Sequence, residues 1–388
     1  MRDVKGLREV YVIGVGQTKF TKQPQVSAIE LSQTAMKAAI DDAGIDPRIL
    51  QVAWAGQIEE ASTTAQFAVK AFGIHDIECI NVENACSTGG TSVRGLWRDI
   101  AYGIYDIGIA IGVESLTNSP INGKLVPLAK GGFLDLLGFP AMSQTAMGSQ
   151  WLMKNRGATM EDLAMASYRN HKNAVFNPYA HYRKELSIEQ IINSEMIASP
   201  ITTLMCCPMS DGAAAVIMCT KEIAMQYTTK LVRMNSCELG SGRFVRYEDT
   251  EASWNIRPTA HRAYENAGVG PLELGVVELH DAYSPEELFV YDEMEMCEPG
   301  ESVKLSRSGD LDIGGRCPVN PSGGLLSLGH PLGASGTRVV VDVVKQLRGN
   351  MVAPEIQVRN TKAGMAQMIG GSVGRVGCEA NFVSILTT

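Results

Sequence analysis

An internal repeat constrains the fold of this chain more than any other feature. Residues 34–52, TAMKAAIDDAGIDPRILQV, and residues 258–276, PTAHRAYENAGVGPLELGV, share an alanine-rich helical pattern, an Ala-Gly stop, a proline and an apolar strand. The spacing that aligns the two Ala-Gly stops also aligns Pro47 with Pro271. Self-similarity of this kind indicates two copies of one supersecondary unit.

A second pair of segments supports the duplication. Residues 86–103, CSTGGTSVRGLWRDIAYG, and residues 332–349, LGASGTRVVVDVVKQLRG, are both glycine-rich turns that open into amphipathic helices. Two unrelated similarities in the same order make chance a poor explanation. The chain is therefore predicted to contain two related α/β halves, residues 1–225 and 226–388.

The first half opens as an α/β unit and then departs from the repeat. The β-branched run at 10–15 predicts a buried strand, and 29–43 places apolar residues at helical spacing. Residues 116–204 are predicted to be an insertion, after which 206–220 predicts a turn and a strand that rejoins the first core. The basic residues of the insertion are either a solvated surface or, as a group, a positive field for a phosphate-bearing ligand: Lys124, Lys130, Lys154, Arg156, Arg169, Lys172, Arg183 and Lys184.

Composition excludes several function classes. Apolar residues make up 45% of the 388 residues and charged residues 20%, which predicts an ordered globular chain. A net charge of −8 argues against nucleic-acid binding, because phosphate contacts need a basic face. The nine cysteines form no CxxC pair, which favours free thiols in a reducing compartment. No apolar stretch resembles a secretory signal or a membrane span, so a cytoplasmic location is predicted.

Cys86 is the candidate nucleophile. It lies in NACSTGG, between a predicted strand and a helix expected to begin near Thr91. The positive end of a helix dipole lowers the pKa of a thiol, and the same unpaired N–H groups can bind an oxyanion. The alternative is a cysteine packed in the core, as most cysteines are. Its place on a glycine-rich strand-to-helix turn favours the nucleophile.

Two histidines are candidate bases. His280 lies in VELHDAY, at the carboxyl end of a predicted strand, where open α/β sheets place reactive groups. His330 lies in SLGHPLGASG, a loop whose small residues indicate close approach to its backbone. A nucleophilic thiol needs a neighbouring base, and imidazole titrates in the right range. A purely structural role for His280 is the alternative, and His261, on the repeated helix, is predicted to be a surface or packing residue.

Four motifs occur in the order and approximate spacing found in thiolases. They are NACSTGG, HDAY, NPSGGLLSLGHPLGASG and MIGGSVG. The chain resembles that family over nearly its whole length, and HDAY and SDGAAA are most similar to its sterol-carrier-protein and archaeal branch. The resemblance implies a five-layered α-β-α-β-α fold of two duplicated halves with an inserted loop domain. It also implies a homodimer or tetramer, paired through a strand next to the nucleophile.

The resemblance also assigns roles. Cys86 matches the acyl-accepting cysteine and His330 the histidine that activates it, while His280 would polarise a thioester oxygen. The backbone N–H groups of Cys86 and Gly370 would form a second oxyanion hole. The candidate substrate-binding residues are Ser322, Gly323, Tyr283 and Met368.

Two departures from the family pattern concern the second acid/base. Met368 stands where common thiolases carry a second cysteine, and Ala282 stands where sterol-carrier-type thiolases carry theirs. A thioether and a methyl group cannot exchange a proton. The Claisen step still needs a base near the α-carbon, which leaves His330 or His280, with Cys378 a weaker alternative.

The implied reaction is CoA-dependent cleavage of a 3-oxoacyl-CoA, or the reverse Claisen condensation, through acyl-Cys86. It needs no metal or organic cofactor, since CoA is a substrate. The substrate is acetoacetyl-CoA or a bulkier compound such as benzoylsuccinyl-CoA. The alternatives are a decarboxylating ketoacyl synthase, and a subunit that needs a small OB-fold, zinc-containing partner of the kind found with archaeal relatives.

Overall fold

A nine-stranded mixed sheet joins the two halves of the protein. The computed structural model describes residues 6–59, 62–119, 140–242, 255–371 and 378–388. The strands run β3-β2-β4-β7-β1-β8-β11-β10-β9, and β5 and β6 pair separately. Their bounds are β1 Val10–Gln17, β2 Val52–Gly56, β3 Glu78–Val82, β4 Ile107–Ser115, β5 Met196–Ala198, β6 Ile201–Thr202, β7 Asp211–Thr220, β8 Val232–Ser241, β9 Val276–Glu278, β10 Ala363–Gly370 and β11 Ala380–Thr387.

The helices begin and end at recognisable capping signals. Ser27 forms a capping box with Glu30 at the start of α1, and Gly44 ends that helix in the left-handed region at φ 65°. The helix bounds are α1 Ala28–Ala43, α2 Thr64–Lys70, α3 Thr88–Ala101, α4 Ala141–Arg156, α5 Met160–Ala174, α6 Ile188–Ile192, α7 Lys221–Tyr227, α8 Arg257–Ala267, α9 Glu286–Glu293, α10 Ser302–Arg307, α11 Gly324–Leu328 and α12 Leu332–Arg348.

The predicted duplication is confirmed element by element. Helix α8 ends at Gly268 with φ 67°, and a 3₁₀ turn at Pro271–Glu273 then leads into β9. Helix α1 is followed in the same way by a 3₁₀ turn at Pro47–Ile49 and by β2. The second repeat corresponds to α3 and α12. These two helices touch through glycines, since a Cβ on Gly89 would lie 2.6 Å from the Thr337 nitrogen.

The layers follow from which face of each element is buried. Helix α1 packs on β1 and β7 in an outer core, while α3 and α12 lie in a central core between the two parts of the sheet. Helix α8 packs on β8 and β11 on the far side. Only two register pairs, Tyr11 with Arg233 and Val12 with Val232, join β1 to β8. This α-β-α-β-α arrangement confirms the predicted fold.

The insertion packs against the second half of the chain. The Trp151 and Phe289 ring centroids lie 6.4 Å apart, and Arg169 forms a buried ion pair with Glu287. Arg169 is therefore not a solvent-facing phosphate ligand, because its guanidinium is committed to a carboxylate. Lys124 and Lys130 lie outside the described residues. The strand predicted to return to the first core is β7.

The length and hydropathy of a helix decide whether it can cross a membrane. Among the helices that the structure describes, none combines the length and the apolar character that a bilayer crossing requires.

Candidate active site

A strained turn presents Cys86. After β3, Ala85 takes a φ of 47°, which a non-glycine residue rarely adopts, and a 3₁₀ turn then leads into α3. Helix α3 begins at Thr88, three residues before the predicted start. The Ser87 hydroxyl lies 3.2 Å from the Met368 carbonyl oxygen and 3.3 Å from that of Ala380, both as acceptors. The turn of the first half is thereby held against two strands of the second half.

His280 is positioned by a backbone hydrogen bond and by a close contact between its ring and a carboxylate. Its backbone N–H donates to Gln367 Oε1 at 3.1 Å, and its Nδ1 lies 3.1 Å from Glu286 Oε2. The other carboxylate oxygen of Glu286 accepts from the Thr145 hydroxyl at 3.2 Å. The carboxylate lies close enough to influence the ring, but the contact lacks hydrogen-bond geometry, and neither ring nitrogen of His280 has a hydrogen-bond partner among the described residues.

His330 is held by the first turn of α12. Its Nδ1 lies 2.8 Å from the Ser335 hydroxyl oxygen, and that hydroxyl donates to the Pro331 carbonyl at 2.9 Å. Because the hydroxyl proton is used, Ser335 accepts from Nδ1–H, which leaves the Nε2 lone pair available. Gly329, with φ 102°, precedes it, and a Cβ there would lie 2.1 Å from Ser210 Oγ.

The three predicted residues meet in space. The Cys86 sulfur and a ring nitrogen of each histidine all lie within 4.8 Å of one another. The two imidazole centroids are 5.4 Å apart with planes at 81°. Within the described part of the chain, neither Nε2 atom has a hydrogen-bond partner. Two nitrogens and one sulfur are thus gathered around a point where a reacting carbonyl can sit.

The pKa of Cys86 is shifted in the direction opposite to the one predicted from the sequence. Burial, followed by the carboxylates of Glu286 and Glu114, raises the pKa of Cys86 to about 12. The backbone N–H at the turn acts in the opposite direction but does not compensate. The expectation of a thiolate in the free protein at neutral pH is therefore wrong. Cys86 is nevertheless partly exposed as a residue.

The base is poised in its neutral form. Burial, the neighbouring His280 and the buried Arg338 together lower the pKa of His330 well below its usual range. A neutral thiol therefore faces a neutral imidazole. Proton transfer from Cys86 to His330 has to accompany attack on the substrate, when charge moves onto the carbonyl oxygen.

Gly370 lies directly against the nucleophile. A Cβ at this position would lie 2.6 Å from the Ser87 nitrogen and 2.8 Å from the Cys86 nitrogen. Only glycine lets the end of β10 approach the turn so closely. Its proposed share in an oxyanion hole stays a prediction, and the contact is what such a role requires.

The other candidate residues are mostly buried, and some of their polar groups already form hydrogen bonds within the protein. The Ser322 hydroxyl donates to Glu278 Oε2 at 2.6 Å and accepts from Arg338 at 3.0 Å. Gly323 and Met368 are buried, whereas Tyr283 is half-buried. Cys378 is also buried, with its sulfur 2.9 Å from Asn381 Oδ1. Their proposed contacts with substrate stay predictions.

Sequence reasoning missed the residues that orient the two rings. Glu286 follows His280 by six positions at the start of α9, and Ser335 follows His330 by five in the first turn of α12. Each is a polar residue at a helix start next to a candidate base, which is the signal that could have identified them. His261 lies on the surface beside Glu265, which is the first of the two predicted alternatives.

Comparison with known proteins gives a consistent result. A family model described as "Thiolase, N-terminal domain" matches residues 10–222, and one described as "Thiolase C-terminal domain-like" matches residues 241–386. The benzoylsuccinyl-CoA thiolase subunit BbsB of Thauera aromatica is 37% identical, with 96% of each chain covered. An acetyl-CoA acetyltransferase of Methanothermobacter thermautotrophicus is 35% identical over 95% of this chain and 98% of its own.

Solved structures share the fold. The Ltp2-ChsH2(DUF35) aldolase superposes with a TM-score of 0.83 at 24% identity, covering 97% of this chain and 98% of the other. Human mitochondrial 3-ketoacyl-CoA thiolase superposes with a TM-score of 0.74 at 18% identity, covering 98% and 99%.

Proposed function

The chain belongs to the thiolase family, and from that premise we propose that Cys86 carries the acyl group while His330 removes its proton. The family activity is acyl transfer between CoA thioesters, by thiolytic cleavage or by Claisen condensation. The observation that carries the proposal is the meeting of Cys86, His280 and His330 within 4.8 Å. Covalent catalysis through a thiol divides one difficult step into two.

The first step uses the neutral thiol–imidazole pair. His330 Nε2 takes the proton of Cys86 as the sulfur attacks the 3-oxo carbon of the substrate. Ser335 stabilises the imidazolium that forms, because its hydroxyl oxygen lies 2.8 Å from Nδ1. The N–H groups of Cys86 and Gly370 face the oxygen on which charge develops.

His280 serves the other half of the reaction. Its Nδ1 lies 3.1 Å from Glu286 Oε2, and a ring nitrogen of His280 lies within 4.8 Å of the Cys86 sulfur. In this role Nε2–H of His280 donates to the thioester oxygen of the departing enolate.

Labelling of Cys86 tests the proposal. Incubation with a short acyl-CoA, digestion and mass spectrometry should place the acyl group on the peptide that holds Cys86. The Cys86→Ala variant should lose both label and turnover, whereas Cys206→Ala should keep both. An active Cys86→Ala variant together with an unlabelled wild-type peptide would refute the role of this thiol.

The substrate follows from the relatives rather than from the pocket. One relative is named for benzoylsuccinyl-CoA and another for acetyl-CoA, so we propose a 3-oxoacyl-CoA of either the simple or the bulky aromatic type. No cofactor is needed in this scheme, since coenzyme A is a substrate. Thiolysis assays with acetoacetyl-CoA and with an aromatic 3-oxoacyl-CoA distinguish the two, and a requirement for a malonyl donor would favour a decarboxylating synthase instead.

We further propose that the enzyme works as a cytoplasmic homo-oligomer. Strand β3 is an edge of the sheet with side chains exposed or half-exposed along its length, and the neighbouring Phe67 is 47% exposed. Such an edge is a ready template for pairing with a second copy. Light scattering of the purified chain should give at least a dimer, and substitution of Ile80 by Lys should reduce it to a monomer.

An accessory subunit is also part of the proposal. One relative is named a thiolase subunit, and one structural neighbour is named as an aldolase with a DUF35 component. We propose a small OB-fold, zinc-containing partner that helps to present CoA. Thiolysis measured with and without such a protein tests this, and full activity of the isolated chain would contradict it.

A further inference from the structure

We propose that Cys207 is the second acid/base of this active site, the group that exchanges a proton with the α-carbon of the CoA thioester. The inference rests on the proposed function and supplies the proton-transfer group that it lacks. His330 is committed to Cys86, and His280 to the thioester oxygen. In the inferred scheme a third group protonates the enolate when the carbon–carbon bond breaks.

The segment that holds Cys207 lies between the two histidine loops. The Cys207 N–H donates to the Ala282 carbonyl at 2.9 Å, and the Ser284 N–H donates to the Met205 carbonyl at 2.8 Å. On the other side, the His330 N–H donates to the Pro208 carbonyl at 3.3 Å. Three backbone hydrogen bonds thus fix this segment to both loops of the active site.

The pairing places Cys207 opposite Ala282. Cys206 and Tyr283 form an antiparallel bridge, so the next pair along the two segments is Cys207 with Ala282. Opposed residues in an antiparallel pair project from the same face. The methyl group of Ala282, two residues from His280, leaves room on that face for a thiol supplied by the neighbouring segment.

The two adjacent cysteines face different cores. Cys207 packs with the central cluster that also contacts Cys86 and Tyr283, whereas Cys206 packs with the cluster of the second half and the insertion. Charge on Cys86 is felt at Cys207 and is not among the influences on Cys206. Cys207 is also partly exposed, as a proton-transfer group must be. Cys206 is therefore a matched control.

The protonation state of Cys207 suits the cleavage direction. Burial raises the pKa of Cys207 well above its usual range, and charge on Cys206, Asp281, Glu286 and Cys86 raises it further. The group is thus a thiol at neutral pH and can give a proton. A thiol with a raised pKa also yields a strongly basic thiolate once the proton has left.

Every proton that is transferred during one turnover can be followed from donor to acceptor. Cys86 gives its proton to His330 and its sulfur forms the bond to the 3-oxo carbon. The carbon–carbon bond then breaks. The enolate that results takes the proton of Cys207 and leaves as acyl-CoA. The Cys207 thiolate next takes the proton of a second CoA thiol, whose sulfur attacks acyl-Cys86. The released Cys86 thiolate recovers its proton from His330, and every group returns to its starting state.

Separate measurements of acylation and of α-proton exchange test the inference. The probes are acetyl-CoA and succinyl-CoA in D₂O, with deuterium incorporation followed by mass spectrometry and acyl-Cys86 followed on the digested protein. We expect Cys207→Ala to lower the exchange rate at least about 100-fold while acyl-Cys86 still forms, and Cys206→Ala to change neither more than about 3-fold. Cys207→Ser, which preserves the volume, should show the same separation.

Several outcomes overturn the inference without touching the acyl-Cys86 proposal. One is an unchanged exchange rate in Cys207→Ala, and another is an equal loss of exchange and acylation in both Cys207 variants. A third is loss of exchange in Tyr283→Phe while Cys207→Ala still exchanges the α-proton. Absence of exchange by the wild-type protein with both probes would also overturn it. Failure of Cys86 to become acylated would instead count against the proposed function itself.

Discussion

The Nδ1 atom of His330 lies 2.8 Å from the hydroxyl oxygen of Ser335, one turn into the helix that follows it. The hydroxyl donates its hydrogen bond to the Pro331 carbonyl, so it acts on the ring only as an acceptor. This arrangement selects the tautomer in which Nε2 faces Cys86. A side chain never predicted as part of the site therefore decides whether the base is in its working form.

Replacement of Ser335 by alanine should slow acylation more than it affects stability. The Nδ1–H loses its acceptor, so the ring is free to adopt the tautomer that points a proton at Cys86. We expect the rate of acyl-Cys86 formation to fall about 10- to 100-fold, in line with the loss of an orienting partner. Rapid quench and mass spectrometry measure that rate.

Ser327→Ala provides the matched control for this experiment. Ser327 is buried three residues before His330, and its hydroxyl has no hydrogen-bond partner within the described residues. Its replacement should leave the acylation rate within about 2-fold of wild type. Equal rates in the two variants would show that Ser335 does not set the tautomer.

Alkylation should report the protonation state of Cys86 in the free enzyme. Because burial raises its pKa to about 12, the thiolate fraction at pH 7 is small and increases with pH. The rate of iodoacetamide labelling at Cys86 should therefore keep rising about tenfold per pH unit beyond pH 9. Peptide mass spectrometry gives the rate, and a plateau near pH 7 would show that the helix start outweighs burial.

The fold could be predicted from the sequence because residues that end helices and begin turns mark the boundaries of each repeat. Gly44 and Gly268 end equivalent helices in the left-handed region, and a proline begins the next turn in each copy. Such signals depend on only a few neighbouring residues, which is why they can be read without coordinates. The three reactive residues were found for a related reason, since each follows a strand or glycine-rich loop.

The electrostatics of the site could not be read in the same way. The helix start near Cys86 is local, whereas Glu286 and Glu114, which raise the pKa of Cys86, are distant in sequence. Arg169 looked like a surface cation in the sequence but pairs with Glu287 in the core. Burial and charge pairing depend on the whole fold, so local pattern cannot decide them.

A methyl group at Gly370 should disable the nucleophile without unfolding the protein. The added Cβ would lie 2.8 Å from the Cys86 nitrogen, a distance that forces the turn to move. We expect Gly370→Ala to reduce acylation by at least about 100-fold, since a misplaced nucleophile loses both its base and its oxyanion donors. Acyl-Cys86 formation and circular dichroism separate these effects.

Gly270→Ala is the control, because a Cβ there would meet only Glu273 at 3.4 Å. Its acylation rate should match that of the wild type. Wild-type acylation in the Gly370→Ala variant would mean that β10 can retreat and that the close contact is not needed.

Stability should depend on pH through a buried cluster beneath the site. Arg338 lies 2.9 Å from Asp342 and 3.3 Å from Glu278, and all three side chains are almost wholly inaccessible. Burial, and then the charge of Asp342, raises the pKa of Glu278 to about 7, although Arg338 opposes them. One cation facing two carboxylates is balanced when Glu278 holds a proton.

The sign of the effect follows from that raised pKa. The folded protein binds the Glu278 proton more tightly than the unfolded chain, whose carboxyl titrates near 4.5. The contribution is therefore complete below about pH 4.5 and is lost as the pH rises through about 7. It amounts to about 3 kcal/mol at most, and Glu278→Gln, which cannot ionise, should flatten this part of the profile.

Urea unfolding between pH 5 and pH 8 measures the effect. The difference in unfolding free energy between Glu278→Gln and wild type should shift in favour of the variant as the pH rises. Glu355→Gln, at an exposed carboxylate, should run parallel to wild type across the range. A Glu278→Gln profile that also runs parallel to wild type would show that Glu278 is ionised throughout, with Arg338 holding both carboxylates as anions.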